Sequence, residues 1–233
     1  TDVGDIYFTN SLIQTNGSSG RGGSIGLSAT NNTQVANSTI SANGYTQGGK
    51  ILIDNDAANG SLPFSILTSL DSNTVINAAQ LDTNPANQSG GQIETSGQTL
   101  RMLASINAGR GGMWLLDPTN VTISTTAGTS TGSDPLLFTN QTNISASQIQ
   151  TAINSGISVE IIADGTITQT ANLSFSIASG SSASLTLNNS NGVAQAITLT
   201  GTTTNTGAGD LNLNYISNGQ IKINGAINST STG

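Results

Sequence analysis

The sequence has no cysteine and no histidine, and it is poor in charged and aromatic residues. Without cysteine there can be no disulfide framework or thiolate metal site, and without histidine there is no imidazole chemistry. Charged residues make up 7% of the chain, against about 25% in an ordinary soluble protein. The surface must therefore consist of asparagine, threonine, serine, glutamine and glycine, which form hydrogen-bonded ladders on a regular β surface.

Positive charge is scarce in particular. Five lysines and arginines stand against twelve acidic residues, which gives a net charge of −7. A nucleic-acid surface needs clustered cations, so no nucleic-acid partner is predicted. No apolar run approaches the roughly 20 residues of a transmembrane helix, so we expect the chain not to be transmembrane. The chain begins without methionine and stops in a Ser/Thr tail, and we expect it to be part of a longer protein with further coils at its ends.

Glycine pairs punctuate the first half of the sequence, and each precedes a short alternating stretch. They start at Gly22, Gly48, Gly90 and Gly111, at intervals of 26, 42 and 21 residues. A period of roughly 20–26 residues is that of one coil of a β-solenoid. Since 42 is twice 21, the long interval is interpreted as two periods.

Apolar residues alternate with polar ones throughout the region after residue 157. From Leu185 the apolar pairs begin 12, 14 and 10 residues apart, at Ile197, Leu211 and Ile221. Alternation with period two places one face inward and one outward. The spacing indicates two strands per coil of about 24–26 residues. The sequence therefore predicts an all-β fold, a single elongated parallel β-solenoid.

Three segments depart from this pattern. Residues 145–156 place Ile149 and Ile153 four apart between a cap-type serine and Gly156, which predicts a short helix near 147–155 or, as an alternative, an extended loop. Residues 54–73 and 124–143 are expected to be loop excursions. The expected organisation is one continuous domain with Gly-Gly repeats over 1–116, a connector, loop and helix over 117–156, and further coils over 157–233.

One stretch is specific enough to suggest a family. The segments GGQIETSG (Gly90 to Gly97) and INAGRGGMWLLDPTNVTI (Ile106 to Ile123) closely resemble the filamentous-haemagglutinin-type exoproteins of two-partner secretion. The resemblance implies a right-handed, single-stranded parallel β-helix that leaves the cell through an outer-membrane secretion barrel. It also implies a bacterial surface or secreted, extracellular location, self-association into fibres, and adhesion to host or neighbouring-cell surfaces, including their glycans.

The same motif has a physical interpretation as architecture. Trp114, Leu115 and Leu116 are expected to fill the core and its corner, and Asp117-Pro118 to open a turn, because proline presets φ and aspartate accepts backbone hydrogen bonds. Val121 and Ile123 then resume the alternation. The residues assigned to this structural motif are Gly111, Gly112, Trp114, Leu115, Leu116, Asp117, Pro118, Asn120, Val121 and Ile123.

An enzyme on a β-helix would need converging carboxylates, often with an arginine. The candidates are Asp54, Asp56, Asp71, Asp82 and Glu94, with Arg101 or Arg110. We interpret Asp54-Asn55-Asp56 as a solvated turn, so no catalytic residue is predicted. Asp54-x-Asp56 lacks the later ligands of a calcium loop, and Gly207-Ala208-Gly209-Asp210 occurs once where a calcium-binding repeat needs several copies, so neither a metal nor a cofactor is predicted.

Asn-x-Ser/Thr sequons are frequent, as chance alone would produce in such a composition. The candidate glycosylation sites are Asn16, Asn31, Asn59, Asn87, Asn140, Asn172 and Asn188. The sequence thus predicts a non-enzymatic, structural or adhesive segment of a secreted bacterial surface fibre. The alternatives are a subunit of a homopolymeric extracellular filament or sheath, the stalk of a contact-dependent toxin and, as an outlier, a polysaccharide-acting β-helix enzyme.

Overall fold

The computed structural model describes residues 4–54, 60, 62–82, 84, 88–126, 142–190 and 196–230. Within these ranges the chain is all-β with parallel sheets and one helix, as the sequence predicts. In chain order the elements are β1 (Asp5–Thr9), β2 (Leu12–Gln14), β3 (Ser24–Leu27), β4 (Asn32–Ala36), β5 (Thr39–Ser41), β6 (Lys50–Ile53), β7 (Leu67–Leu70), β8 (Val75–Asn77), β9 (Gln92–Gly97), β10 (Thr99–Met102), β11 (Ser105–Asn107), β12 (Met113–Pro118), β13 (Val121–Ser124), β14 (Thr142–Ser145), α1 (Ala146–Asn154), β15 (Ser158–Ile162), β16 (Ile167–Gln169), β17 (Leu173–Phe175), β18 (Ser182–Asn189), β19 (Ile197–Leu199), β20 (Thr203–Asn205), β21 (Asp210–Ser217), β22 (Ile221–Ile223) and β23 (Ile227–Ser229).

The strands form five sheets, which we number in the order in which the chain reaches them. Sheet 1 contains β1, β4, β7 and β10, and sheet 2 contains β2, β5, β8 and β11. Sheet 3 has seven strands, β3, β6, β9, β12, β15, β18 and β21. After β12, sheet 4 (β14, β13, β16, β19, β22) and sheet 5 (β17, β20, β23) replace sheets 1 and 2. The chain therefore returns to sheet 3 again and again. We call the part of the chain from one strand of sheet 3 to the next a repeat.

The register of sheet 3 explains the spacing of the glycine pairs. Ser24 pairs with Lys50, Lys50 with Gln92, and Gln92 with Met113. These partners are separated by the same 26, 42 and 21 residues as the glycine pairs. Interpreting the 42-residue interval as two periods is wrong, because β6 and β9 are direct neighbours. The interval is one repeat with long connections before β7 and after β8.

The two loop excursions are shorter than expected where the structure describes them. Residues 67–70 of the first form β7, which pairs with β4 and β10. Residues 142–143 of the second belong to β14. Positions 55–59, 61 and 127–141 lie outside the described residues.

Among the described residues each complete repeat shows three strands, where the sequence predicts two. The apolar pattern misses β20, among others. The inward side chains of β20 belong to Thr203 and Asn205, which are polar although both are buried. Inward aliphatic residues of the other strands form one apolar cluster that extends from Ile25 to Leu199. The core is thus continuous along the described chain, although individual strands contribute polar side chains to it.

The glycine pairs lie where the chain passes from sheet 2 to sheet 3 and neighbouring repeats approach each other. A Cβ added to Gly49 would lie 2.2 Å from the carbonyl oxygen of Gly23, and one added to Gly91 would lie 2.2 Å from that of Gly49. The N–H groups of Gly49 and Gly91 donate to Ala42 and Ala78, each over 2.8 Å. Glycine is required here because the backbones of successive repeats are in contact, which leaves no room for a side chain.

The helix predicted near 147–155 is confirmed as α1. Its N-cap is Ser145, whose hydroxyl accepts from the N–H of Ser147. At the other end Gly156 has φ +77°, its N–H donates to Ile153, and the N–H of Ile157 donates to Ala152. This pair of bonds is a Schellman motif, which uses glycine for its left-handed residue.

Helix α1 occupies the place of a strand between sheets 2 and 5. The side-chain oxygens of Gln150 and Asn154 accept from the backbone N–H groups of Ser174 and Ser176, at 2.9 and 2.7 Å. On the other side Gln148 donates to the carbonyl of Ala104 over 3.2 Å. These amides satisfy backbone groups at strand edges that would otherwise lack a neighbouring strand. The described part of the chain has no helix with the length and apolarity to cross a membrane.

Candidate functional site on the outer faces of the sheets

The motif around the single tryptophan lies at the change from sheets 1 and 2 to sheets 4 and 5. Trp114 and Leu116 point inward and are buried, and the indole Nε1 donates to Thr95 Oγ1 over 3.1 Å. Leu115 lies on the outer face of β12 and is half-buried, so the expectation that it fills the core is wrong. Strand alternation separates the two leucines because consecutive side chains point to opposite faces. Val121 and Ile123 are buried in β13, in agreement with the resumed alternation.

Asp117-Pro118 was expected to open a turn, but the two residues are the last two of a strand. Both residues belong to β12 and align with Ser96 and Gly97 of β9. Pairing with β15 on the other side stops at Leu116, so the missing N–H of Pro118 removes no bond from that neighbour.

The turn after β12 falls at Thr119 and Asn120. The side-chain oxygen of Asn120 accepts from the N–H of Thr166 over 2.8 Å, and the carbonyl of Thr119 accepts from Gly165 over 2.8 Å. The amide of Asn120 therefore links this corner to the corresponding corner of a neighbouring repeat.

Asp54 is a buried residue and not part of a solvated turn, which corrects the expectation for this position. It follows β6 with φ 65°, and its side chain is fully enclosed. Its carboxylate accepts from the hydroxyls of Thr33 (2.8 Å), Ser65 (2.7 Å) and Thr68. Burial raises the pKa of Asp54 to about 6, although the hydrogen bonds from Ser65 and Thr33 act in the opposite direction. Asp54 directly follows β6 of sheet 3, Thr33 lies in β4, and Ser65 and Thr68 lie just before and in β7. The three hydrogen bonds therefore connect sheet 3 to sheet 1 strands of two repeats.

The other carboxylates that were considered as candidates for an enzyme lie on different faces. Asp71 accepts from the N–H of Asn37 and from Thr74 Oγ1 at the connection to β8. Glu94 is buried on the outer face of sheet 3 and accepts from Ser96 Oγ. Asp82 accepts from the N–H of Asn84 in the connection between β8 and β9. Asp56 lies outside the described residues.

The two arginines considered with those carboxylates occupy different positions. Arg101 is exposed in β10, and Arg110 Nη2 donates to the carbonyl of Gly180 over 2.7 Å. Among the described residues no group of three or more acidic side chains could hold a metal ion. The glycine-rich segment before β21 is a corner, since the N–H of Gly209 donates to Ile177 and that of Asp210 to Ser181.

Four of the seven candidate glycosylation sites lie within the described residues. Asn16 and Asn172 are exposed, while Asn31 and Asn188 are half-buried. The side-chain oxygen of Asn16 accepts from Ser41 and Asn43, and Asn31 Nδ2 donates to Asp5. Asn172 and Asn188 accept through their side-chain oxygens, from the backbone N–H groups of Thr202 and Ser190. Asn59, Asn87 and Asn140 are outside the described part of the chain.

A groove lies beside the glycine pairs on these outer faces. One part, of about 470 Å³, has a floor of stacked glycines from four repeats, and Arg21, Gln47, Lys50, Gln92 and Met113 line its sides. A second part, of about 240 Å³, extends over the outer face of sheet 3 between Leu52, Leu115, Glu94 and Glu160. Lys50, Gln92 and Met113 line both parts, so the two parts adjoin each other.

Sequence reasoning predicted no binding role for Gln47 and Gln92, which line this groove. The signal was present in the regular return of Gly-Gly, because glycines that recur in register leave a strip of surface without side chains. We call this surface the glycine groove. No family model matches the chain, and neither the curated proteins nor the solved structures include one that is significantly similar to it.

Proposed function

We propose that the chain is a segment of a right-handed parallel β-helix that forms part of a secreted bacterial surface fibre of the filamentous-haemagglutinin type. In this proposal the segment is structural and adhesive, it catalyses no reaction, and it reaches the cell exterior through an outer-membrane secretion barrel. Its function is mechanical: stacked coils give length, and the outer faces meet host or neighbouring-cell surfaces.

The observation that carries the proposal is the rotation of the chain through three sheets with repeated return to sheet 3. Parallel pairing in every sheet and one continuous apolar cluster are what coils stacked along an axis require. The resemblance of residues 106–123 to filamentous-haemagglutinin-type exoproteins adds the handedness and the route of secretion. The distribution of the carboxylates over different faces favours a surface without catalysis.

Immunogold electron microscopy of producing cells tests this function. Antibodies raised against residues 1–233 are expected to label thin fibres that project from the cell surface. Beads coated with the purified chain are expected to adhere to target cells more than beads coated with an unrelated acidic protein of similar size. Label confined to the cell interior, or equal adhesion of both bead types, would contradict the proposal.

A further inference from the structure

The glycine groove is lined by groups that both donate and accept hydrogen bonds. Gln47 and Gln92 carry amides, Arg21 and Lys50 carry donors, and Glu160 carries an acceptor at the other end, where the carboxylate of Glu94 is buried. The two cations are balanced by the two carboxylates, so the groove as a whole favours neither charge sign. A neutral ligand with many hydroxyl groups matches such a lining, because each hydroxyl can both donate and accept.

The shape of the groove points to an elongated ligand. Its floor crosses four repeats at the glycine pairs, and three strand spacings correspond to about 14 Å, the length of about three pyranose rings. The floor has no side chains, because a Cβ at these glycines would contact the backbone of the next repeat. A sugar ring can therefore approach the backbone of the floor closely. Projecting side chains would prevent this approach.

An apolar strip lies beside the polar groups. Leu52, Met113 and Leu115 are half-buried on the outer face of sheet 3, within the same groove. The C–H faces of sugar rings can cover these side chains while the ring hydroxyls reach the amides.

We propose that the glycine groove binds a neutral linear polysaccharide, with Gln47 and Gln92 as the residues that hydrogen-bond its hydroxyls. This rests on the proposed function, since a surface fibre meets the glycans of cells and matrices, and it specifies the ligand class and the binding residues. Arg21 and Lys50 donate hydrogen bonds to the polysaccharide, which does not have to be anionic for this.

Isothermal titration calorimetry with neutral hexasaccharides tests the proposal, using linear glucans, mannans and xylans and, as the anionic arm, hexagalacturonate. We expect at least one neutral hexasaccharide to bind, and raising the salt concentration about tenfold to change its affinity by less than about twofold. Binding of none of the neutral sugars, or of hexagalacturonate alone, would overturn the proposal.

Variants locate the site. Gln47→Ala and Gln92→Ala should each weaken binding by roughly 5- to 10-fold, the effect of one lost hydrogen bond. Gln34→Ala is the matched control, because Gln34 is half-buried on sheet 1 and has no part in the groove. Equal weakening by Gln34→Ala would place the site elsewhere and contradict the proposal. Because the sugars are free in solution, failure here leaves the adhesion of coated beads as an independent test of the fibre function.

Discussion

The repeats before and after helix α1 reach the same parallel stacking with different interior groups. Before the helix, the polar interior is a carboxyl group, Asp54, surrounded by hydroxyls from two strands of sheet 1. After it, buried amides bond to nearby backbone carbonyls, as when Gln169 donates to Ala171 and Asn205 to Gly209. Asp54, Gln169 and Asn205 are hydrogen-bonded, as buried polar groups usually are, whereas Asn189 Oδ1 after the helix is buried without a partner. Backbone register and corner geometry therefore define the stack, whereas the interior side chains differ from repeat to repeat.

The largest effect is expected at the junction between the two regions. Trp114→Ala removes a buried indole and leaves a cavity beside Thr95, so it should lower the free energy of unfolding by about 3–5 kcal/mol. Leu115→Ala, on the outer face of the same strand, should cost less than about 1.5 kcal/mol. Urea denaturation measures both. Equal losses would mean that β12 does not alternate as described.

The glycine pairs of the first region should tolerate no side chain. Gly91→Ala places a Cβ against the carbonyl of Gly49, and we expect a loss of about 3 kcal/mol because the backbone must shift. Gly20→Ala is the control, since no atom lies within 4 Å of a Cβ at that position, and it should change stability by less than about 0.5 kcal/mol. If Gly91→Ala were as stable as Gly20→Ala, the close contact between repeats would be refuted.

Asp54 should make the stability of the first region depend on pH. Its folded pKa of about 6 lies above the ordinary value of 3.8, so the protonated carboxyl is favoured in the fold. This stabilisation is fully present below pH 3.8 and lost as pH rises through about 6. Its size is about 2–3 kcal/mol from the size of the pKa shift.

The measurement is urea denaturation of the natural chain and of Asp54→Asn between about pH 4 and pH 7.5. The natural chain should become less stable as pH rises, and the variant should show a flatter profile, because the amide does not titrate. Identical slopes for the two proteins would show that another group causes the pH dependence.

The smallest effect concerns the contacts of α1 with the second region. Gln150→Ala removes the acceptor of the Ser174 N–H in β17, and Asn154→Ala removes the acceptor of the Ser176 N–H just after it. Each substitution should lower the free energy of unfolding by about 1 kcal/mol. Amide hydrogen exchange at Ser174 and Ser176 should become faster in the corresponding variant. Thr151→Ala, exposed on the same helix, is the control. Unchanged exchange at both serines would show that the helix does not protect this strand edge.

The sequence predicted the parts of the fold that depend on local periodicity. The Gly-Gly intervals match the register of sheet 3, and Ile149, Ile153 and Gly156 indicated the helix with its C-terminal cap. Period-two alternation identified inward residues such as Leu185 and Leu187. These features follow from residues close in the chain or from a regular repeat, so sequence alone was sufficient.

What the sequence missed depends on contacts between distant residues. The burial of Asp54 follows from hydroxyls 11–21 residues away, as with Ser65 and Thr33. The strand β20 was missed because its inward residues are polar and hydrogen-bonded in the stack. The glycine groove could be foreseen as a strip without side chains, but the amides beside it could not, because neighbouring repeats bring Gln47 and Gln92 together only after folding.

Sheet 3 continues without interruption past α1, while the sheets beside it are replaced. Leu52 and Asn214 lie on one outward row of sheet 3, in register through Glu94, Leu115, Glu160 and Thr186. The chain has no native cysteine, so spin labels at Leu52→Cys and Asn214→Cys are unique. Double electron–electron resonance should give one narrow distance distribution near 24 Å, the length of about five strand spacings. A broad distribution, or one centred beyond about 35 Å, would contradict the continuous stack.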